Sequence, residues 1–322
     1  MERKLRDFYG TSKVIQKLIN VLYRYPKSWY TRIRNFGGLM NYQRMLKSQK
    51  LMRKAYMQVN EMVSYKDGLT IYFLTGKNYI DQTVFCIASL TNVSNEKFNF
   101  ILIDDGSFDN YLIDLISSKI KDITIIRKNE LDSVLSHKFP ENRYPFLNQK
   151  RREYAHIKKL LDVHSINRED WKLVLDSDML FWKEPTEIIE WLKNPETPIH
   201  MIDCIEAYGY TKTLIDELAA TTVQNKINVG VIGLNSNKLN WDKIESWIMQ
   251  LESTEGKSYY LEQALTAMII GDQDAIKLNT RDYIVSPSKN NVIHETGILH
   301  HYVDTSKAHY FNIAWKKILQ ND

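Results

Sequence analysis

Asp176 and Asp178 stand two positions apart in LVLDSDMLFW (173–182), where an apolar run turns acidic and then resumes. Aspartate is disfavoured in strands, and an ionised carboxylate is costly to bury unpaired. In a strand, residues i and i+2 face one side, so at a strand end both carboxylates can enter one pocket. Two hard oxygen ligands at that spacing suit Mg²⁺ or Mn²⁺, and a divalent ion would relieve their mutual repulsion. The competing reading is a strand-end turn, where Asp is common. Met179-Leu180-Phe181-Trp182, directly behind the pair, argues against an ordinary exposed turn.

Two further polar clusters close β-rich runs. LTIYFL (69–74) ends at Thr75-Gly76-Lys77-Asn78, and FNFILIDDGS ends at Asp104-Asp105-Gly106-Ser107. DQTVFCIASLTNV, between them, has apolar residues at helical spacing. NYLIDLISSKI predicts a second helix and ITIIRK a third strand. KRREYAHIKKLLDVH predicts one amphipathic helix leading into the strand that ends at Asp176. Strands separated by helices of about 10–15 residues predict an α/β fold with a mainly parallel sheet covered on both faces. Such sheets bind ligands outside the carboxyl ends of their strands. The clusters at 75–79, 104–107 and 176–178 therefore converge on one edge. The second half is mixed: INVGVIGLN and GILHHYV read as strands, and WDKIESWIMQL, YYLEQALTAMII and NIAWKKIL as helices.

The 322 residues are 43 % hydrophobic and 25 % charged, ordinary for a globular chain. No apolar run approaches the roughly 18–20 residues that cross a bilayer, and MERKLRDFYG lacks a signal-peptide apolar region. Only Cys86 and Cys204 occur, without CxxC spacing, so neither a disulfide framework nor a cysteine zinc site is expected. A reducing cytoplasm is the expected compartment. Charge is uneven. Residues 1–60 hold 14 Lys and Arg against Glu2 and Asp7, a balance of +12, so the other 262 residues carry −8 against the whole chain's +4. Composition changes near Ser64–Gly68, which predicts a basic helical extension over 1–66 and a domain over 67–322. VIQKLINVLYRYPKSWYTRIRNF mixes these cations with aromatic residues, a pattern suited to an anionic membrane surface. The alternative is a helical extension packed on the domain or on a second subunit. No zinc-finger or RNA-recognition pattern is present, and no nucleic-acid partner is expected.

With these motifs in order, the chain resembles GT-A fold glycosyltransferases, and among them glycosyltransferase family 8, over roughly residues 69–310. IYFLTGKNY looks like the family's first strand and nucleotide loop, LVLDSDMLF like its DxD strand, and INVGVIGLN like its Asn-x-Gly-Val strand. LEQAL resembles its Asp-Gln-Asp stretch, and HYVDTSK its closing His-x-x-Gly-x-x-Lys motif. Gly76 stands where many members carry Asp, EQA replaces Asp-Gln-Asp, and Asp304 replaces the closing glycine. Ala308-His309 replaces Pro-Trp. These departures set the chain beside family 8.

The resemblance implies a nucleotide-diphosphate-sugar donor and a glycan or lipid-linked acceptor. By analogy Asp176, Asp178 and His301 hold Mn²⁺ or Mg²⁺, with Ser177 between the ligands. Lys307, and Lys158 or Lys159, add cationic charge. Thr75, Asn78 and Tyr79 in the first loop, with Asp104 or Asp105, hold base and ribose. Asn228 and Gly230 come from the Asn-x-Gly-Val strand, and Glu262 and Gln263 meet the sugar. Retention of configuration follows the family. Inversion would need a general base, for which Asp203, Glu206 and Glu262 are candidates. Together with the basic arm this predicts a cytoplasmic enzyme on the inner face of a membrane. Three other classes compete. A DxD-type phosphatase uses its first Asp as nucleophile near the start of its domain, whereas this pair comes over 100 residues into the fold. A nucleotidyltransferase would want a glycine-rich phosphate loop, and LTGKNY has one glycine. A non-catalytic nucleotide-binding scaffold would leave the metal constellation without a use.

Overall fold

Residues 25–320 are described in the structure, a computed structural model. The first part of the basic arm therefore lies outside the described residues. In chain order the strands are β1 (Met62–Val63), β2 (Leu69–Thr75), β3 (Phe98–Asp104), β4 (Ile120–Lys121), β5 (Thr124–Ile126) and β6 (Trp171–Leu175). There follow β7 (Met179–Phe181), β8 (Ile199–Ile202), β9 (Ile227–Asn235), β10 (Ile276–Leu278), β11 (Tyr283–Val285) and β12 (Leu299–His301).

Seven strands form the central sheet in the order β10-β8-β9-β6-β2-β3-β5. All run parallel except β9, which is antiparallel to both β8 and β6. The reversal follows from the connection. The chain leaves β8 at Asp203 and re-enters β9 from Lys226 on the same edge, where the Asp203 N–H bonds the Lys226 carbonyl at 2.7 Å. The next strand must then run back. Helices cover both faces, so strands read as continuous apolar runs without alternation. Every residue of β3 is buried.

The apolar Met-Leu-Phe after Asp178 has a simple destination. The chain leaves the central sheet at Leu175 and enters a second, three-stranded sheet, β11-β12-β7, as β7. Asp176-Ser177-Asp178 is the crossover between the two sheets. In the antiparallel β7–β12 pair His301 lies opposite Met179, and the Tyr302 N–H bonds the Asp178 carbonyl at 2.9 Å. That register carries residues over 120 positions apart in sequence to one point.

Two sequence expectations need correction. KRREYAHIKKLLDVH is two helices, Pro145–Glu153 and Ile157–Ser165, separated by Tyr154-Ala155-His156. Tyr154 is extended, and its side chain reaches across to the Tyr259 carbonyl and the Glu262 N–H, which a continuous helix would forbid. The final helix is also longer than NIAWKKIL. It runs from Lys307 to Ile318 through a π-turn at Tyr310–Ala314.

Of the basic segment, Tyr25–Asn35 and Leu39–Ala55 are helical. Gly37 and Gly38, at φ +76° and +102°, form the corner between them. The second helix buries Met45, Ser48, Met52 and Ala55, which recur at helical spacing, and packs against the Tyr310–Ala314 turn. Met45, Met52 and Ala55 join the same hydrophobic core as β2, β3 and the C-terminal helix.

Candidate active site

Because β2, β3, β6 and β8 run parallel and β9 runs opposite, Thr75, Asp104, Asp176, Asp203 and Asn228 meet on one sheet edge. At its centre Asp176, Asp178 and His301 bring one ligand atom each to within 4.8 Å of one another. His301 Nε2 lies 3.5 Å from Asp176 Oδ2 and 3.5 Å from Asp178 Oδ1. Its other nitrogen, Nδ1, is 3.1 Å from Asn228 Oδ1. That amide has one orientation: its oxygen accepts from the Gly230 N–H at 2.9 Å and its NH₂ donates to Asp203 Oδ2 at 3.0 Å. An oxygen can only accept, so Nδ1 carries a hydrogen, and the ring is held with Nε2 turned toward the carboxylates. A ring oriented by a neighbouring amide, with its other nitrogen facing the carboxylates, is the arrangement a metal-ligating histidine uses. Two carboxylates and one imidazole within a few ångströms fit a divalent metal ion.

Gly230 is where it is because the His301 ring lies on it. A Cβ there would sit 2.4 Å from His301 Cε1 and 2.5 Å from Met179 Cε. His300 and His301 go opposite ways, as strand alternation requires. His300 is buried beside Trp182 and Tyr302, bonds the Thr296 carbonyl at 2.6 Å, and is pushed down to about 4 by burial. His301 enters the triad.

Lys307 Nζ stands 3.1 Å from Asp178 Oδ2. Burial would raise the Asp178 carboxyl, but Lys307 and His301 outweigh it and hold it well below the usual carboxylate range. Asp178 in turn raises Lys307. Asp304 takes the left-handed backbone, φ +46°, at the position where the resembled motif has glycine, and its side chain is exposed.

On the other flank Lys159 is buried. It donates to Asp176 Oδ1 at 2.9 Å and the Val229 carbonyl at 2.7 Å, and lies 3.8 Å from Glu262 Oε1. Burial pushes the Glu262 carboxyl up to about 7, with Lys159 offsetting part of the effect. Gln263 donates from one NH₂ group to the Ile227 carbonyl at 2.9 Å and to Asp203 Oδ2 at 3.2 Å. Asp203, Asn228 and Gln263 are thus one network.

The remaining expected residues fall around this centre with different engagements. Of the adjacent lysines, Lys158 donates to the Asp105 carbonyl at 3.0 Å, and Lys159 is the one that reaches Asp176. The hydroxyls of Thr75, Thr83 and Ser177 form a chain with 2.8 Å links. Asp104 is buried. It accepts from the Gly106 and Phe108 N–H groups at 2.8 and 3.1 Å and faces Arg127 at 3.4 Å. Asp105 covers Gly76: a Cβ at 76 would lie 2.1 Å from the Asp105 carboxylate, so a side chain there would require Asp105 to turn away. Asn78 and Tyr79 are exposed on the loop after β2, and Arg53 donates to the Asn78 carbonyl at 3.2 Å.

An aromatic rim went unread in the sequence. Tyr154, His156, Tyr259 and Tyr260 make successive edge-on and tilted ring contacts at 5.0–5.3 Å. Tyr259 is 67 % exposed and lies close enough to Lys307 to influence its charge. The Tyr259-Tyr260 pair before LEQAL was visible in the sequence. Its partner His156 was hidden by reading residues 150–164 as one helix.

No protein-family model and no curated protein matches the chain. Solved structures do. A crystal structure of galactosyltransferase LgtC in complex with donor and acceptor sugar analogues matches with TM-score 0.51 and 15 % identity over 78 % of this chain and 95 % of that one. The chain has the GT-A glycosyltransferase fold. Mouse xyloside xylosyltransferase 1 matches at TM-score 0.48 and 13 % identity over 77 % of this chain and 94 % of that one. The bifunctional glycosyltransferase WbbM matches at 0.48 and 11 % over 80 % and 52 %. On this GT-A scaffold the acidic crossover and the β12 histidine lie at the edge formed by the carboxyl ends of the parallel strands. Among the described residues no helix is long and apolar enough to cross a membrane.

Proposed function

We propose that the protein is a metal-dependent glycosyltransferase. It moves a hexose or N-acetylhexosamine from a nucleotide-diphosphate sugar, in our reading a UDP-sugar, to a glycan or lipid-linked acceptor, with retention. One observation carries this: Asp176, Asp178 and a His301 ring of fixed orientation converge beside Lys307 on the strand-end edge of a GT-A fold.

Asp176, Asp178 and His301 would hold Mn²⁺ or Mg²⁺, which acts as a Lewis acid on the diphosphate of the donor. Lys307 brings a second cation to the side where negative charge develops on the leaving diphosphate. Asn78 and Tyr79, exposed at the mouth, take the base, and Asp105 with Lys158 shapes the wall toward the ribose. Glu262, Gln263 and the Asp203–Asn228 pair offer acceptors and donors for sugar hydroxyls. Gln263 is assigned to the reacting face. Lys159 keeps Asp176 and Glu262 from repelling one another. The Tyr259 and His156 rings give the acceptor sugar a face to stack on. The location we assign is the cytoplasm, at the inner face of a membrane.

Calorimetric titration of UDP with and without Mn²⁺, on wild type and Asp178→Ala, tests the reading. Binding that needs both the metal and Asp178 is the expected result. Wild-type protein that ignores UDP, GDP and CMP under both conditions overturns it.

A further inference from the structure

We infer that the outer side of the Tyr25–Asn35 and Leu39–Ala55 corner docks the protein on an anionic lipid bilayer, with the donor site beside the docked face. The docking stands apart from the donor chemistry; only the delivery of a membrane-borne acceptor rests on the function proposed above.

The charge on this element is one-sided. Between Asp7 and Glu61 the sequence has no acidic residue. Over 25–55 all eight cations are exposed: Lys27, Arg32, Arg34, Arg44, Lys47, Lys50, Arg53 and Lys54. Residues 61–322 carry the opposite net charge. An arm that merely neutralised the domain would lie against its acids. Most of these cations instead point to solvent, on the side away from buried Met45, Ser48, Met52 and Ala55.

Large apolar groups sit among them. Trp29 is 55 % exposed, Tyr30 64 % and Met40 81 %, with Leu39 and Leu51 each at 47 %. Indole, phenol and thioether side chains with interleaved Lys and Arg match a headgroup region: rings and aliphatic chains enter the acyl boundary while cations stay at the phosphates. Each cation near an anionic surface adds attraction that salt screens.

The face is also held in place. The corner is fixed by the two positive-φ glycines and by the Phe36–Tyr42 ring pair at 5.6 Å. The second helix is anchored in the core and, through Arg53, bonds the Asn78 carbonyl of the loop after β2. Docking on Met40, Lys47, Lys50, Leu51 and Lys54 therefore sets the mouth of the donor site near the lipid surface, where a lipid-linked acceptor would present its sugar.

The test is co-sedimentation of the full chain with vesicles of phosphatidylcholine alone and with a quarter phosphatidylglycerol, at 0.05 and 0.5 M NaCl. Wild type should pellet with the anionic vesicles at low salt and be released at high salt. The Lys47→Glu/Lys50→Glu/Lys54→Glu variant should bind about 10-fold or more weakly, and Trp29→Ala/Met40→Ala several-fold more weakly. Calorimetry with UDP and Mn²⁺ on the same variants should match wild type, which shows that they are folded and separates this result from any failure of the donor reading. Equal pelleting with both vesicle types overturns the inference. So does a triple variant that pellets like wild type, or a wild type that ignores vesicles but binds a 20-nucleotide RNA or self-associates through this face.

Discussion

Two pairs of aspartates close strands of the same sheet edge, Asp104-Asp105 after β3 and Asp176/Asp178 after β6, and the fold uses them differently. Asp104 is consumed by its own loop: two backbone N–H groups and Arg127 take its oxygens, and the carboxylate is 2 % exposed. Asp176 and Asp178 make few bonds to local backbone. Their partners are His301, Lys159 and Lys307, from distant elements. A carboxylate satisfied by its own turn shapes a wall. Carboxylates held only by side chains from distant elements, Lys159, Lys307 and His301, keep ligand capacity.

The most severe way to break this contrast is Asp178→Ala. Mn²⁺-dependent UDP affinity should fall by at least about 100-fold, since one of three ligands is lost, and calorimetry reads it directly. Asp104→Ala should act on stability instead. It strands two N–H groups and Arg127, costing about 3 kcal/mol, and chemical denaturation should show it. If Asp104→Ala leaves stability unchanged, the account of a wall-forming pair is wrong.

Gly230→Ala sharpens the metal side alone. The added methyl displaces the His301 ring, so Mn²⁺ affinity should drop about 10- to 100-fold with every acidic residue still present. Electron paramagnetic titration of Mn²⁺ measures this without any substrate.

A further acid at the site, Glu262, tests burial without full compensation. Its folded pKa of about 7 exceeds its ordinary value of 4.5. The folded state then holds more protons than the unfolded state between those values, so stability falls as pH rises through that window and levels off above it. The expected loss is on the order of 1–3 kcal/mol. Glu262→Gln should flatten denaturation midpoints between pH 5 and 8, and a variant as steep as wild type would remove Glu262 as the cause. The smallest effect belongs to Asp304→Gly. At φ +46° the change relieves a left-handed side chain, and stability should rise by about 1 kcal/mol or less, seen as a slightly higher melting temperature.

How much of this was legible can be argued residue by residue. Strand–helix alternation from Leu69 onward, the buried runs and the convergence of three polar clusters followed from periodicity and turn chemistry. The split between His300 and His301 followed from strand alternation. The choice of Lys159 over Lys158 did not, because adjacent helical residues differ by about 100° and only packing decides which one faces Asp176. Nor did the break at Tyr154–His156, where a tyrosine's distant bonds replace helical ones.

Amphipathic spacing, the acid-free stretch from 8 to 60 and the Asp-Ser-Asp crossover are local properties, written in neighbouring residues and readable without a structure. Which aspartates stay open to a ligand was a tertiary decision. It depended on β7 leaving one sheet for another, on β12 pairing antiparallel to it, and on Gly230 leaving room for His301. These are contacts between residues far apart in the chain, and local propensity carries no information about them.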